Sequence, residues 1–437
     1  MYLGMFKYKI SNSYVMKKIA VIGAGISGLS CAYSLQKAGF SVEVFEKTSF
    51  LGGRMSTNVK NGFHFDIGAD HLSNLYTELI DSCKEYDVEW EKMRFLIYST
   101  FRNGKLKPIL KSISILARMR LFFYTLFIKN KPLDFLNLST TTDYDTENAY
   151  DYMHRTLGLE VVDYVVDPFI SAYQFQRAKD ISKSALVSVM QSLKFQKDDW
   201  YLHRTKGGMI ALPEALAKKF TVHLKTPVKK IESKKGKVKV DNKIYDAVVC
   251  ASTADVTHKI LVNPSVAQKK LLDAVRYSST ISVAFTVPQG TLEGIGVVWV
   301  PFKENGCISS YINEEMKGDE CIQNGRSLVS IWLHDVYAKT LMSKSRDEIF
   351  LAVQKEFLKV CPNITNESDL KLHDLQIWEK AMPLYSQGYL THVKEFLDEG
   401  QGEDNIYFCG DYLNSTWTEG AFRCGQRVAD QIIKKYS

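Results

Sequence analysis

The sequence predicts an α/β fold, and three observations near its start support that prediction. A short apolar strand, Ile19 to Ile22, runs directly into the glycine-rich turn GAGISG. A helix of roughly three turns is expected from Leu29 to Ala38, and Gly39 ends it. A second strand, Val42 to Phe45, then leads into an acidic residue. This order is that of a βαβ unit.

The glycine-rich turn has the spacing that a bound dinucleotide requires. Gly23 permits a tight turn, Gly25 lets the backbone approach a pyrophosphate, and Gly28 lets the helix pack close to the strand. The free N–H groups at the start of the helix, and the positive end of its dipole, then face the phosphates. We therefore predict a dinucleotide site here that includes Ile26 and Ser27; the alternative is a buried βαβ unit without a ligand.

Glu46 is predicted to bind the ribose of that dinucleotide. It lies eighteen residues past Gly28, at the end of the second strand, where its carboxylate can accept hydrogen bonds from a 2′-OH. A carboxylate there also repels a 2′-phosphate, which disfavours NADP. Lys47, the next residue, is included in the predicted site.

The residues after Glu46 resemble a family of flavoproteins. Gly52-Gly53-Arg54 follows six residues later, and the segment FDIGADH begins at Phe65. Both are similar to motifs of the FAD-dependent flavin amine oxidases, protoporphyrinogen oxidases and phytoene-type desaturases. The resemblance implies a Rossmann-like FAD-binding domain of the glutathione-reductase type, with a mixed-sheet and helical substrate domain. FAD is then the expected cofactor, and the implied contacts in this part of the chain are Gly53, Arg54, Gly68, Ala69 and Asp70.

Motifs near the end of the chain resemble the same family. An apolar strand ends in Gly410-Asp411, and Thr418 to Ala421 begin the last helix. The resemblance implies that Asp411 meets the ribityl or pyrophosphate region, and that the helix start at Thr418 and Ala421 faces the flavin. It also implies a backbone contact from Val228 to the adenine. The alternatives are a helix-capping role for Asp411 and a surface position for Glu419.

The resemblance covers nearly the whole chain after Met16 and predicts a flavin domain made of three segments. A chain of 437 residues is long enough for two or three domains. The predicted segments are 16–104, 191–278 and 377–437 for the flavin domain, 105–190 for a helical substrate or lid insertion, and 279–376 for the substrate sheet.

The stretch from Leu106 to Lys131 mixes apolar and basic residues, and two interpretations of it stay open. Its longest uncharged run, Leu121 to Ile128, is eight residues, which is too short to span a bilayer. The helices of this stretch can pack as a lid over the substrate domain. Alternatively, they can lie on a membrane surface, with the apolar side down and the basic side towards the headgroups.

Among its relatives, the chain is most similar to the protoporphyrinogen oxidases. Trp378 to Tyr389 resembles their W-x-x-A-x-P-x-Y-x-x-G segment, and Pro168 to Ser171 resembles their P-F-[IV]-S stretch. Classical amine oxidases carry a lysine near flavin N5, but here the equivalent position is Ser282, and no lysine occurs between Lys270 and Lys303.

The resemblance implies that the flavin takes a hydride from a CH–NH or CH–CH unit of an apolar or porphyrinogen-like substrate. Oxygen or a quinone would reoxidise the flavin. The alternatives are an amine oxidase or a phytoene-type desaturase with another substrate, and a flavoprotein whose FAD is structural and which binds a partner. No catalytic triad or metal site is apparent, and the candidate substrate-pocket residues are His71, Trp378, Tyr385 and Trp417.

Composition adds weaker expectations about compartment and partners. The net charge of +7 allows attraction to anionic membranes or substrates, but basic and aromatic residues do not alternate as nucleic-acid binding requires. The eight cysteines are scattered without CxxC pairs, which is typical of free thiols in the cytoplasm. The first fifteen residues lack the long apolar region of a signal peptide, and Met16 is a plausible alternative start.

Overall fold

The computed structural model of the protein describes residues 16–94, 97–128, 133–194 and 201–437. Two sequence predictions therefore fall wholly or partly outside the described residues. These are the character of the first fifteen residues and the basic end of the stretch that finishes at Lys131.

The described residues alternate between short strands and helices along the whole chain. The strands are β1 Lys18–Ile22, β2 Ser41–Phe45, β3 Thr57–Lys60, β4 Phe63–Asp66, β5 Leu72–Ser73, β6 Trp90–Lys92, β7 Tyr98–Arg102, β8 Lys105–Pro108, β9 Leu202–Thr205, β10 Thr221–His223, β11 Ile231–Lys234, β12 Lys237–Val240, β13 Lys243–Tyr245, β14 Ala247–Cys250, β15 Thr280–Pro288, β16 Val297–Trp299, β17 Ile308–Asn313, β18 Ile322–Gln323, β19 Arg326–Leu333, β20 Lys371–Trp378 and β21 Ile406–Phe408. The helices are α1 Ile26–Lys37, α2 Thr77–Glu85, α3 Ile115–Phe127, α4 Ala149–Leu157, α5 Leu159–Val161, α6 Asp167–Gln174, α7 Lys183–Lys194, α8 Ala211–Ala217, α9 Ala254–Ile260, α10 Val266–Ala274, α11 Asp335–Leu341, α12 Arg346–Val360, α13 Tyr389–Glu395 and α14 Thr418–Tyr436.

The first sheet is parallel, with five strands in the order β10-β2-β1-β14-β21. Its centre is β1, where Ile19 pairs with Val42 on one side and with Ala247 on the other. The inner strands β1 and β14 are almost fully buried and rich in valine and isoleucine, as strands covered on both faces must be. The five strands of this sheet come from all three segments of the predicted flavin domain; the segment boundaries themselves stay a prediction.

Helix α14 lies directly against α1, so the end of the chain supports the glycine-rich turn at its start. A Cβ added to Gly425 would lie 2.1 Å from the Ser27 carbonyl oxygen, which shows how closely the two backbones approach. The Ser30 hydroxyl donates to the Phe422 carbonyl at 2.7 Å. This close packing fixes the start of α1 relative to the C-terminal segment.

The second sheet is mixed and has eight strands, in the order β20-β15-β19-β17-β16-β7-β8 with β18 beside β19. Its apolar side packs on α12, which runs from Arg346 to Val360 and starts with a capping box at Ser345. Strand β7 pairs in parallel with β16 in this sheet, although residues 98–102 fall in the first predicted flavin segment. The long-range pairing of β7 was not visible in local sequence patterns.

Most predicted elements occur in the structure, with shifted ends. Helix α1 begins at Ile26 rather than Leu29, because the residues after Gly25 already have helical geometry. The turn at Asn103-Gly104 joins β7 to β8 with both residues at positive φ, as an Asn-Gly hairpin turn requires. Residues 226–230 form no strand, and β11 begins only at Ile231. The backbone at Thr226 is bonded to the Glu46 carbonyl instead.

Candidate flavin site and adjoining cavity

In the glycine-rich turn, two glycines leave no room for a side chain and the third faces open space. A Cβ on Gly23 would lie 2.9 Å from the Ala251 carbonyl oxygen, and Gly23 has φ +111°. A Cβ on Gly28 would lie 2.1 Å from the Gly23 carbonyl oxygen. A Cβ on Gly25 would meet nothing within 4 Å. Gly25 is therefore the glycine whose bare backbone is available to a ligand, which fits a pyrophosphate at this helix start.

The buried side chain of Glu46 stands at the end of β2 beside this turn. Its carboxylate accepts from the Ala24 N–H at 2.9 Å and from the Thr48 N–H at 2.8 Å. These bonds hold it next to the glycine-rich turn, in the position expected for a ribose-binding acid. Lys47 is exposed.

The second glycine pair lies against the first. Gly52 forms an isolated bridge with Gly25, and its N–H donates to the Ala24 carbonyl at 2.9 Å. A Cβ on Gly53, which has φ +56°, would lie 3.5 Å from the Gly25 Cα atom. The glycine-rich turn and the Gly52-Gly53 pair therefore both present backbone without side chains on one side, as a long dinucleotide requires.

Arg54 and Asp411 form an ion pair that links the two ends of the chain. The guanidinium donates to both carboxylate oxygens of Asp411, at 2.5 and 3.1 Å, and to the Ala381 carbonyl at 2.7 Å. Asp411 is buried and follows Gly410 at the end of β21. Two predicted cofactor residues that are 357 positions apart are thus in direct contact. Since Asp411 starts a short 3-10 turn, both of its predicted roles stay open.

The segment with Gly68, Ala69 and Asp70 runs beside Arg54. The Ala69 N–H donates to the Arg54 carbonyl at 2.7 Å, and a Cβ on Gly68 would lie 2.0 Å from that carbonyl oxygen. Val228 is half-buried two residues after Thr226, whose N–H donates to the Glu46 carbonyl. The predicted adenine contact is therefore close in sequence to a residue that is bonded to Glu46, the predicted ribose-binding acid.

Helix α14 begins at Thr418 as predicted, but Glu419 is not a surface residue. Its fully buried carboxylate accepts from the N–H groups of Glu78 and Leu79, both at 2.9 Å, and from Arg423 at 2.8 Å. Burial raises the pKa of Glu419, and these bonds oppose that shift. Glu419 thus satisfies the first turn of α2, because the start of a helix leaves N–H groups without internal partners. The surface alternative for Glu419 is wrong.

A cavity of about 210 Å³ lies beside these elements and is almost entirely apolar. Its lining comprises His71, Ser73, Leu75, Tyr76, Tyr98, Ile109, Phe135, Phe169, Tyr173, Val189, Ser192, Trp299 and Trp417. The Tyr173 ring lies 6.1 Å from the ring of His71 and 6.2 Å from that of Trp417. Because Trp417 directly precedes α14, the start of that helix adjoins the cavity. Two predicted pocket residues, His71 and Trp417, therefore meet at one cavity.

His71 is the histidine in this lining, and Asp70 orients it. The His71 Nδ1 atom lies 2.7 Å from a carboxylate oxygen of Asp70. Behind Asp70 lies Lys317, which is almost fully buried, with its Nζ atom 3.4 Å from the other Asp70 oxygen. Burial raises the pKa of Asp70, but Lys317 and His71 lower it more, so the carboxyl group stays ionised. An ionised Asp70 accepts a hydrogen bond from the Nδ1–H of His71, which leaves Nε2 as the basic nitrogen.

Lys317 belongs to a larger buried network of charges. Its Nζ atom lies 2.7 Å from Glu314 and 3.6 Å from Asp66. Asp66 also accepts from the Arg204 Nε atom at 2.9 Å, and all four of these side chains are buried. Burial lowers the pKa of Lys317, but the three neighbouring carboxylates raise it more. A charged lysine at this depth is stable only because carboxylates surround it.

The other two predicted pocket residues lie outside the cavity lining. The Trp378 indole donates to the Ile67 carbonyl at 2.6 Å, and Tyr385 is buried with its hydroxyl donating to the Asp411 carbonyl. Both side chains therefore support the backbone of segments that carry predicted flavin motifs, at Ile67 and at Asp411. Ser282 is buried in β15, opposite Trp332 and Gln376 in the neighbouring strands.

Sequence reasoning missed Lys317 and most of the aromatic lining. Lys317 follows strand β17 in the acid-rich run NEEMKGDE, which has the composition of a solvated loop. The one local signal was the position of that run directly after a six-residue buried strand. Tyr98, Tyr173 and Trp299 come from three distant parts of the chain and had no motif to mark them.

Comparisons with known proteins identify the family and the fold. Residues 26–433 match the family described as flavin containing amine oxidoreductase. Protoporphyrinogen oxidase 2 of Arabidopsis thaliana is 24% identical over 498 aligned residues, which cover 95% of this chain and 94% of that protein. Among solved structures, a candidate protoporphyrinogen oxidase from Exiguobacterium sp. 255-15 has a TM-score of 0.76 at 16% identity. A triple mutant of putrescine oxidase has a TM-score of 0.77 at 18% identity. Each of these two alignments covers 96% of this chain and 99% of the chain in the solved structure, which shows a shared fold.

The fold and the site define an FAD-dependent oxidoreductase, with a parallel nucleotide-binding sheet joined to a mixed sheet. The chain belongs to the flavin-containing amine oxidoreductase family. Its cofactor is FAD, and the open backbone at Gly25 and Gly53, with Glu46 and the Arg54–Asp411 pair, fits a cofactor of that length.

Proposed function

We propose that this protein removes a hydride from a CH–NH or CH–CH unit of a porphyrinogen-like substrate, as a protoporphyrinogen oxidase does. The observation that carries the proposal is the aromatic cavity, which brings His71 to the same wall as Trp417 at the start of α14. Similarity to a protoporphyrinogen oxidase over 95% of the chain supports the substrate class. Oxygen or a quinone then reoxidises the cofactor.

The protein's own residues have separate tasks in this reaction. Trp299, Tyr173 and Trp417 hold a flat apolar ring and exclude water from it. When bound, FAD accepts the hydride from the substrate carbon. His71 Nε2 accepts the proton from the adjoining N–H, so a CH–NH unit becomes C=N with loss of one hydride and one proton. Asp70 holds the imidazole in the tautomer that this proton transfer needs.

Cavity volume favours a second candidate, a smaller apolar amine. An engineered cavity of about 150 Å³ binds one benzene ring, so 210 Å³ accommodates one substituted ring rather than a whole macrocycle. A porphyrinogen would therefore enter with one pyrrole ring at a time. The fold is shared with putrescine oxidase, but Ser282 stands where the resemblance to amine oxidases expects a lysine.

Anaerobic stopped-flow titration of the purified holoprotein distinguishes the two candidates. Protoporphyrinogen, coproporphyrinogen and a panel of apolar amines would each be mixed with the protein while flavin absorbance at about 450 nm is followed. Bleaching by a porphyrinogen, with recovery on admission of air, is the expected result and would identify oxygen as an acceptor. Bleaching by amines alone would favour the second candidate. A holoprotein that no donor bleaches would contradict both.

A matched pair of histidine variants tests the assigned base. His71→Gln keeps the size of the side chain but removes the basic nitrogen, so we expect flavin reduction to slow by about 100-fold or more at neutral pH. The control is His373→Gln, because His373 is also buried but lies outside the cavity lining. Equal rates for the two variants would exclude His71 as the proton acceptor.

A further inference from the structure

Helix α3 presents a continuous apolar surface to solvent. Seven of its thirteen residues are large, apolar and exposed, with exposed fractions from 49% at Phe123 to 80% at Phe127. We call this set the α3 apolar face; its members are Ile115, Leu116, Met119, Phe122, Phe123, Leu126 and Phe127. Single exposed apolar residues are common on protein surfaces, but seven on one short helix are not.

The arrangement of side chains around α3 separates two apolar sides. At about 100° per residue, the α3 apolar face spans an arc of about 140°. Ala117, Leu121 and Tyr124 lie on the opposite side and pack against the protein core. Arg118 and Arg120 are exposed and lie about 20–40° outside the two borders of the α3 apolar face. The exposed apolar arc is therefore bordered by a cation on each side.

The surrounding chain is strongly basic. Between Lys92 and Leu133 the sequence has ten lysines and arginines and no aspartate or glutamate. The whole chain carries +7, so the remaining residues together carry −3. Arg94 pairs with Asp319 and Arg102 with Glu160, and five of the other eight cations lie in the sequence from Lys111 to Lys131 that contains α3.

We propose that the α3 apolar face binds the surface of an anionic lipid bilayer. The apolar side chains would enter the boundary between headgroups and acyl chains, and Arg118 and Arg120 would reach the phosphates at each side. Thirteen residues measure about 20 Å, less than the hydrocarbon thickness of about 30 Å, so α3 would lie on the bilayer. Among the described residues, no helix is both long and apolar enough to cross a membrane.

Charge distinguishes a lipid surface from a second copy of this chain. A symmetric dimer through the α3 apolar face would bring the bordering arginines of both copies close together, and like charges repel there. An anionic bilayer instead attracts those arginines and the neighbouring Lys111. The binding should therefore need both the apolar residues and negative lipid charge.

Vesicle flotation of the full-length holoprotein tests the proposal. We expect flotation with phosphatidylcholine vesicles that contain about 30% phosphatidylglycerol, and at least tenfold weaker partitioning to phosphatidylcholine alone. The variant Phe122→Ser/Phe123→Ser/Phe127→Ser should lose about tenfold or more in partitioning to the anionic vesicles. The matched control is Val266→Ser/Val336→Ser/Leu351→Ser, which changes three exposed apolar residues on other helices and should still float.

Two results would overturn the proposal. The first is a wild-type protein that does not float with anionic vesicles, or a phenylalanine variant that floats as well as the control. The second is a wild-type dimer in sedimentation velocity, without lipid, that becomes monomeric in the phenylalanine variant; a second copy would then cover the face. Unchanged flavin absorbance and far-ultraviolet circular dichroism would show that the variants are folded.

Discussion

Replacing Lys317 by methionine removes the buried cation behind the cavity while nearly keeping its volume. Its Nζ atom lies 2.7 Å from Glu314, 3.4 Å from Asp70 and 3.6 Å from Asp66. Removing one partner of a buried ion pair typically costs about 3–5 kcal/mol, because charge remains in a low-dielectric interior. We expect Lys317→Met to lower the free energy of unfolding by that amount.

The same variant should change the pH dependence of both stability and activity. Lys317 helps to hold the pKa of Asp70 below its ordinary value. Ionised Asp70 therefore stabilises the wild-type fold above about pH 4, and that contribution is lost as the pH falls. Without Lys317 the pKa of Asp70 rises, so the stability gained above pH 4 becomes smaller. Asp70 is then protonated at higher pH, and the acidic limb of the rate of flavin reduction moves upwards in pH.

Urea unfolding between pH 4 and 8 and a pH series of stopped-flow reduction would measure these effects. Lys206→Met is the control: its lysine pairs with Glu89 at 2.8 Å on the surface, and solvent screens such exposed pairs so that they contribute little to stability. The double variant Lys317→Met/Glu314→Gln should recover part of the lost stability, because one unpaired carboxylate is also removed. A Lys317→Met protein within about 1 kcal/mol of wild type, with an unshifted pH profile, would refute the reasoning.

Three further predictions follow from the same geometry. Gly25→Ala should fold normally but bind FAD more weakly, which flavin titration would measure. Gly28→Ala should instead unfold at lower temperature in differential scanning fluorimetry, because its Cβ would lie 2.1 Å from a carbonyl oxygen. Asp411→Asn should weaken FAD retention by about tenfold or more, since it loses a charge-assisted bond to Arg54, and unchanged retention on gel filtration would contradict this. Burial, with a smaller effect of Arg177, lowers the pKa of His334 to about 3 in the folded protein. As the pH falls, His334 is therefore protonated in the unfolded chain at a higher pH than in the folded protein. Wild type should then lose about 2 kcal/mol more than His334→Asn between pH 7.5 and 5.0 in urea unfolding; equal losses would count against a neutral buried histidine.

Local sequence determined the nucleotide-binding half of the protein. The order of strand, glycine turn, helix and acid at Ile19 to Glu46 occurs in the structure with only small shifts at its ends. One reason is that two of the glycines there are sterically required: a Cβ on Gly28 would lie 2.1 Å from the Gly23 carbonyl oxygen, and Gly23 has a positive φ. Helix α12 was predictable for a similar reason, because its capping box lies within four consecutive residues.

Only the tertiary structure decided which residues meet at the cavity and which surface stays open. Lys317, Asp70 and Arg204 come from separate segments, and their burial follows from how the two sheets pack rather than from their neighbours in the chain. The alternating apolar and basic residues of α3 allowed both a lid and a membrane surface. Its packing through Leu121 and Tyr124 leaves the α3 apolar face exposed, because a short helix can bury only one side against a single core.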